Sequence, residues 1–142
     1  MGDLNDLDQR RIAIATKLFE GWSSGDPDAP ESCFHPDAVL FDVASGRFEG
    51  WRAIRAFFAR GLTRSRELTL VPDRFWARPD GLAVHYVMSA TIADPATYGP
   101  EYVGRRWTVD VMSELRFDGE RVIYEADFHD KGSRTRSLGI NN

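Results

Sequence analysis

Arg106-Trp107-Thr108-Val109-Asp110-Val111-Met112-Ser113-Glu114-Leu115-Arg116 alternates between a mainly apolar and a mainly charged series. Only an extended strand puts every second residue on one face. Trp107, Val109, Val111, Ser113 and Leu115 therefore form one row, and Arg106, Thr108, Asp110, Glu114 and Arg116 form an outward polar ladder. Runs of similar character surround this one. Glu67–Arg78, Leu82–Ala93, Tyr102–Phe117 and Arg121–His129 read as four consecutive strands. Pro79-Asp80-Gly81 and Asp118-Gly119-Glu120 are turns between neighbours, and Asp94–Pro100 is too rich in proline and glycine for a strand.

Toward the N-terminus the period changes. Ile12, Ala15, Leu18, Phe19 and Trp22 recur at steps of three and four, which is one face of a helix. Asp3, Asn5 or Asp6 can cap its start, and Ser24-Gly25 ends it. Asp26-Pro27 opens a short helix expected to carry Cys33 and Phe34 as far as His35-Pro36. Ala38–Val43 is a strand with Leu40 and Asp42 on one face, followed by a turn over Ala44–Arg47. Gly50 opens a second helix, with Trp51, Ile54, Phe57 and Phe58 as its apolar stripe and Gly61 as its end. The polar tail, 131–142, is expected to be mobile. Helices segregated from a meandering sheet define an α+β fold, here one domain over 1–142 with its core at about 10–130. A curved antiparallel sheet wrapped against helices leaves a conical hollow suited to a small molecule.

Composition narrows the function. The 142 residues carry 18 Lys and Arg against 22 Asp and Glu, so no broad basic field exists for nucleic acid. Cys33 is the single cysteine, which excludes an internal disulfide and a thiolate-clustered metal site. The acidic start does not read as a targeting signal, and no apolar run reaches the ~20 residues of a membrane span. A cytoplasmic protein without membrane contact is expected.

Three further stretches carry a resemblance. Phe19-Glu20-Gly21-Trp22-Ser23-Ser24-Gly25-Asp26, Phe34-His35-Pro36-Asp37-Ala38-Val39-Leu40-Phe41-Asp42 and Gly50-Trp51-Arg52-Ala53-Ile54-Arg55-Ala56-Phe57-Phe58 resemble the SnoaL-like branch of the nuclear transport factor 2-like (NTF2-like) superfamily. Asp118–Ile123 with Asp127 is similar to the branch's last hairpin. The resemblance implies a cone-shaped α+β barrel, often homodimeric through its sheet. Its members include isomerases, cyclases, dehydratases, epoxide hydrolases and cofactor-free lyases, together with proteins that only bind. Fold alone therefore does not give the activity.

Asp42 falls where ketosteroid isomerases of this fold place their proton-shuttling carboxylate. An apolar surround would raise its pKa. The bland alternative is that Asp42 caps the turn after its strand. The isomerase's tyrosine and acid are replaced by residues near Leu18 and Ser113, which disfavours that reaction. Asp127 matches the last-strand acid of cyclases and epoxide hydrolases, and Glu125 stands two residues earlier on the same face. Two carboxyls about 6–7 Å apart along a strand can split their pKa values. The Arg-x-Asp of the epoxide hydrolases is replaced by Met88-Ser89-Ala90. His85 shares a strand face with Ala83, Val87 and Ser89, taken from the resemblance as the cavity face. It is similar to the imidazole of dehydratases, although the expected aspartate partner falls near Ser23. Trp22, Phe19 and Phe58 supply aromatic walls, with Trp22 at the mouth, and Tyr98 and Tyr102 flank a lid-like loop.

The expectation is a cofactor-independent, metal-free acid–base enzyme, a lyase, dehydratase, isomerase or cyclase. Asp127, His85 and Asp42 would be catalytic, and a small apolar ring compound would be the substrate. The alternative is a binding or dimerisation module of the same fold.

Overall fold

The computed structural model of the chain describes residues 4–140. Helix α1 (Asp6–Ser23) starts at Asn5, whose side chain accepts from the Asp8 amide while the Asp8 carboxylate accepts from that of Asn5. Both bonds satisfy amides left over at a helix start. Of the other capping candidates Asp6 is inside the helix, and Asp3 lies outside the described residues. Ala15, Leu18, Phe19 and Trp22 are buried, as their spacing requires. Arg11 is buried as well, and donates to the carbonyls of Arg78 and Pro79.

The segment after α1 departs from expectation. A single 3-10 turn (Glu31–Cys33) replaces the short helix, and strand β1 (Phe34–Asp42) starts four residues before Ala38. Pro36, which lacks an amide hydrogen, falls where the pairing register shifts between Phe34 and Val39. The expected turn is shortened by β2 (Gly46–Glu49), which pairs antiparallel with β1. Helix α2 (Trp51–Arg64) continues through Gly61, since one helical glycine costs only about 1 kcal/mol.

Strands β3 (Ser65–Arg78) and β4 (Gly81–Ile92) follow as a hairpin. Gly81 is obligatory there, because a Cβ would meet the Leu115 carbonyl oxygen at 1.8 Å. The expected loop contains one-turn helix α3 (Pro95–Tyr98) and a 3-10 turn at Pro100–Tyr102, so β5 (Arg106–Asp118) starts after Tyr102. Strand β6 (Arg121–Phe128) completes the sheet.

The tail forms helix α4 (Lys131–Ser137), followed by the buried Leu138. Arg134 stacks at 4.0 Å over Trp107, and the Ser137 hydroxyl accepts from the Thr108 amide. Residues 131–140 are therefore packed against β5, which corrects the expected mobility.

Strand order is β2-β1-β6-β5-β4-β3 in one curved, unclosed sheet. It is mixed where a wholly antiparallel one was expected, because β1 and β6 run parallel. That pairing sets Leu40 opposite Glu125 and Asp42 opposite Asp127. Helix α1 covers the inner face, where Phe19 packs on Tyr86 with ring centroids 4.6 Å apart. Among the described residues no helix is long and apolar enough to cross a membrane.

Candidate active site

Side-chain alternation and strand register bring a group of ionisable residues to the inner face. Along β6, Glu125 and Asp127 point the same way as their β5 partners Leu115 and Ser113. Glu125 is 1% exposed, while Asp127 is half-buried. Ser113 donates its one hydroxyl proton to Asp127 at 2.6 Å, so its oxygen accepts from the Tyr86 hydroxyl at 3.0 Å. On the other side Asp42 is 7% exposed and accepts from the amides of Ala44 and Ser45. His129 donates its Nε2 hydrogen to Asp42 at 3.1 Å.

The surroundings set the protonation of this cluster. Burial pushes the Glu125 carboxyl well above its ordinary 4.5, and the charge of Asp127, their shared hydrogen bond and the charge of Asp42 add to the rise. Burial also raises Asp127, although the Glu125 and Ser113 hydrogen bonds pull it back. Burial thus favours the protonated form at both carboxyls, most strongly at the fully enclosed Glu125. Burial likewise drives the Tyr86 phenol well above 10.0, reinforced by the carboxylate charges, so it remains a neutral donor. Asp42 goes the other way. Burial acts to raise it, but the His129 hydrogen bond and charge, with the two backbone amides, bring it below the usual carboxylate value. The expectation of a raised Asp42 pKa is corrected: Asp42 is an ionised anchor for His129 that also caps the β1–β2 turn.

Two buried polar atoms in this cluster have no protein partner, Oε1 of Glu125 and Nδ1 of His129. An unsatisfied buried polar atom is costly, so both mark places where a bound molecule or water can be recognised.

The other site candidates fall elsewhere. His85 is on the opposite, outer face of β4, because Leu82, Val84, Tyr86 and Ala90 are the residues that turn inward. Its Nδ1 meets Asp73 at 2.5 Å and its Nε2 meets Asp110 at 3.0 Å, so it tethers β3, β4 and β5 and does not join the inner acids. Trp22 is 4% exposed between Phe34 and Phe58, which places it in the core and not at a mouth. Phe19 is fully buried and supports the ring of Tyr86. Phe58 is half-buried against Trp22. Tyr98 and Tyr102 pack edge to face on the core at the β4–β5 connection, roughly 20 Å from Ser113 by the rise of β5.

The interior is filled by the protein's own side chains, with Phe19, Leu18, Leu40 and Tyr86 essentially inaccessible. Two clefts are external. One of about 260 Å3 is lined by Asn5, Leu7, Asp8, Arg11, Ala77, Arg78 and Pro79. The other, about 410 Å3, lies beside Phe34 and Trp51. Neither touches Glu125 or Asp127. Neither cleft is the open cone expected from sequence, and the Glu125 and Asp127 carboxyls lie among mostly buried side chains. Among the described residues no group of three or more His, Cys, Asp or Glu side chains is arranged to hold a metal ion.

His129 and Tyr86 were not foreseen as site residues. Both were within reach of strand periodicity. Asp127-Phe128-His129 puts the histidine on the face of Asp127, and Leu82, Val84 and Tyr86 share one parity.

A mixed curved sheet backed by helices, with carboxyls on its inner wall, defines an NTF2-like or ketosteroid isomerase-like α+β protein. Within that class the chain belongs to the SnoaL-like domain family, whose profile matches residues 15–125. A protein from Jannaschia sp. CCS1 assigned as a SnoaL-like polyketide cyclase superposes with a TM-score of 0.83 at 18% identity, covering 100% of both chains. A Catenulispora acidiphila protein with a ketosteroid isomerase-like fold, solved with trimethylamine, gives 0.78 at 20% identity over 90% of this chain and 93% of that one. TerC, crystallised with polyporic acid, gives 0.74 at 18% identity over 92% and 98%. At these identities the likeness establishes the fold. No curated protein matches the chain.

Proposed function

We propose that the chain is a cofactor-independent acid–base enzyme acting on a small, mainly apolar, ring-containing molecule, in an elimination, isomerisation, cyclisation or carbon–carbon cleavage. The observation that carries this reading is the Glu125–Asp127 pair, two carboxyls on one face of β6 beside Asp42, which is paired with His129. Such a pair takes up a proton at Asp127 and returns it without either residue leaving its strand. The Tyr86–Ser113 chain holds Asp127 in position through a donor that stays protonated. Asp42 fixes the ring of His129 and leaves its Nδ1 free to meet a substrate atom.

The test needs no knowledge of the natural substrate. Exchange of the methyl protons of 2-acetylnaphthalene in deuterium oxide, followed by proton NMR, reads proton transfer beside a carbonyl. Catalysed exchange that is lost in Asp127→Asn supports the reading. Exchange at the buffer rate, with saturable binding of the ketone, favours a binding module instead.

The outer sheet face supports a homodimer as part of the same proposal. Val71, Met112 and Phe128 are each at least 40% exposed on that face and offer apolar contacts to a second copy. Light scattering after size exclusion reads the state directly, and a monomer at micromolar concentration overturns it.

A further inference from the structure

The cleft of about 410 Å3 lies at the opposite end of the sheet from the carboxyl cluster and is lined by Glu31, Ser32, Phe34, Pro36, Trp51 and Arg121. Phe34 and Arg121 begin β1 and β6, whereas Asp42 and Asp127 stand near the ends of the same strands. The separation is about 25 Å at the rise of a strand. The proposal that follows is therefore independent of the acid–base reading.

The wall of the cleft is aromatic. Phe34 and Trp51 stack with centroids 5.6 Å apart and planes inclined by 30°, and Trp51 is half-buried, so part of its indole is open to a ligand. The volume falls within the range of small-molecule sites, ~300–1,000 Å3. Arg121 is exposed, and among the described residues no ion pair, hydrogen bond or ring contact engages its guanidinium. The other charged lining residue is Glu31, and the remaining ones are neutral. The Arg121 guanidinium is thus the one cation of the lining, unpaired and set beside a flat apolar wall.

We infer that this cleft binds a planar aromatic carboxylate. Its ring lies against Trp51 and Pro36, and its carboxylate is gripped by the fork of Arg121. Arg121 supplies two parallel N–H donors that match a carboxylate, and Ser32 offers a hydroxyl at the rim.

The probe is 2-naphthoate, titrated by isothermal calorimetry, with the neutral 2-naphthalenemethanol as its uncharged counterpart. The naphthoate binds saturably, and the alcohol binds about threefold to fivefold more weakly, the value of one exposed ion pair. Arg121→Gln, a surface change that leaves folding intact, abolishes that preference. Trp51→Tyr keeps the preference for charge while weakening both probes. Absence of saturable naphthoate binding overturns the proposal, as does equal affinity for acid and alcohol, or an unchanged affinity in Arg121→Gln.

Discussion

Nε2 of His129 lies 3.1 Å from Oδ2 of Asp42 and joins the ends of two strands that are 87 residues apart in sequence. The bond is possible because β1 and β6 run parallel, which brings their last residues to the same end of the sheet. It places an imidazole whose Nδ1 has no protein partner beside the Glu125–Asp127 carboxyl pair. The carboxyls of this cluster stand on neighbouring strands, and His129 directly follows the last residue of β6.

Asp127→Asn removes the proton acceptor while preserving its shape. Exchange of the 2-acetylnaphthalene methyl protons should fall by about 10²–10⁴-fold, the usual contribution of one general base. The NMR rate relative to wild type, with ketone affinity measured alongside, checks that chemistry and not binding was lost.

Asp42 and Glu125 give opposite signs of pH dependence. The folded-state pKa of Asp42 is depressed, so its stabilisation is present above its unfolded value, near 3.8, and is lost as pH falls through the lower folded value. Asp42→Asn is therefore destabilising at neutral pH and approaches neutrality in acid. The folded-state pKa of Glu125 is raised, so the favourable balance is present below about 4.5 and is lost as pH rises, because the unfolded chain gains from ionising and the folded one does not. Glu125→Gln removes that loss. Its Tm relative to wild type should climb from pH 5 to pH 8, and urea titrations across the range read both slopes.

His85→Gln should leave proton exchange at the inner acids unchanged, since His85 stands on the other side of the sheet. Its mark should appear on Asp73 instead. The hydrogen bond from His85 is the main influence lowering the Asp73 pKa, followed by partial burial, which opposes it, and the charge of His85. A carboxyl-carbon NMR titration should show Asp73 moving upward in the variant. Loss of exchange with Asp73 unmoved would restore a catalytic role to His85.

Leu138→Ala probes the C-terminal segment. Leu138 is buried in the main core, so truncation should cost about 2–4 kcal/mol in urea unfolding. A change below about 0.5 kcal/mol would instead fit a loosely held tail.

Much of this architecture could be read locally. The alternation of β5 separates buried Trp107, Val109, Val111, Ser113 and Leu115 from the outer ladder, as expected from spacing. The helix faces of α1 and the pairing of Leu40 with Asp42 on one side of β1 were equally legible, because each depends only on backbone period. Asp127 and Glu125 could be seen as neighbours for the same reason.

What the chain alone determined, then, was which residues share a face. Tertiary structure decided which face is inside. Period two is symmetric between the two sides of a strand, so nothing within β4 states whether His85 or Tyr86 turns toward α1; the covering helix decides that. The parallel contact of β1 with β6 likewise depends on the path of the whole sheet, and only that path brings His129 to Asp42. The tail was misread because its polar composition hides one buried leucine and an arginine that stacks on Trp107. Those contacts exist only once β5 is in place to receive them.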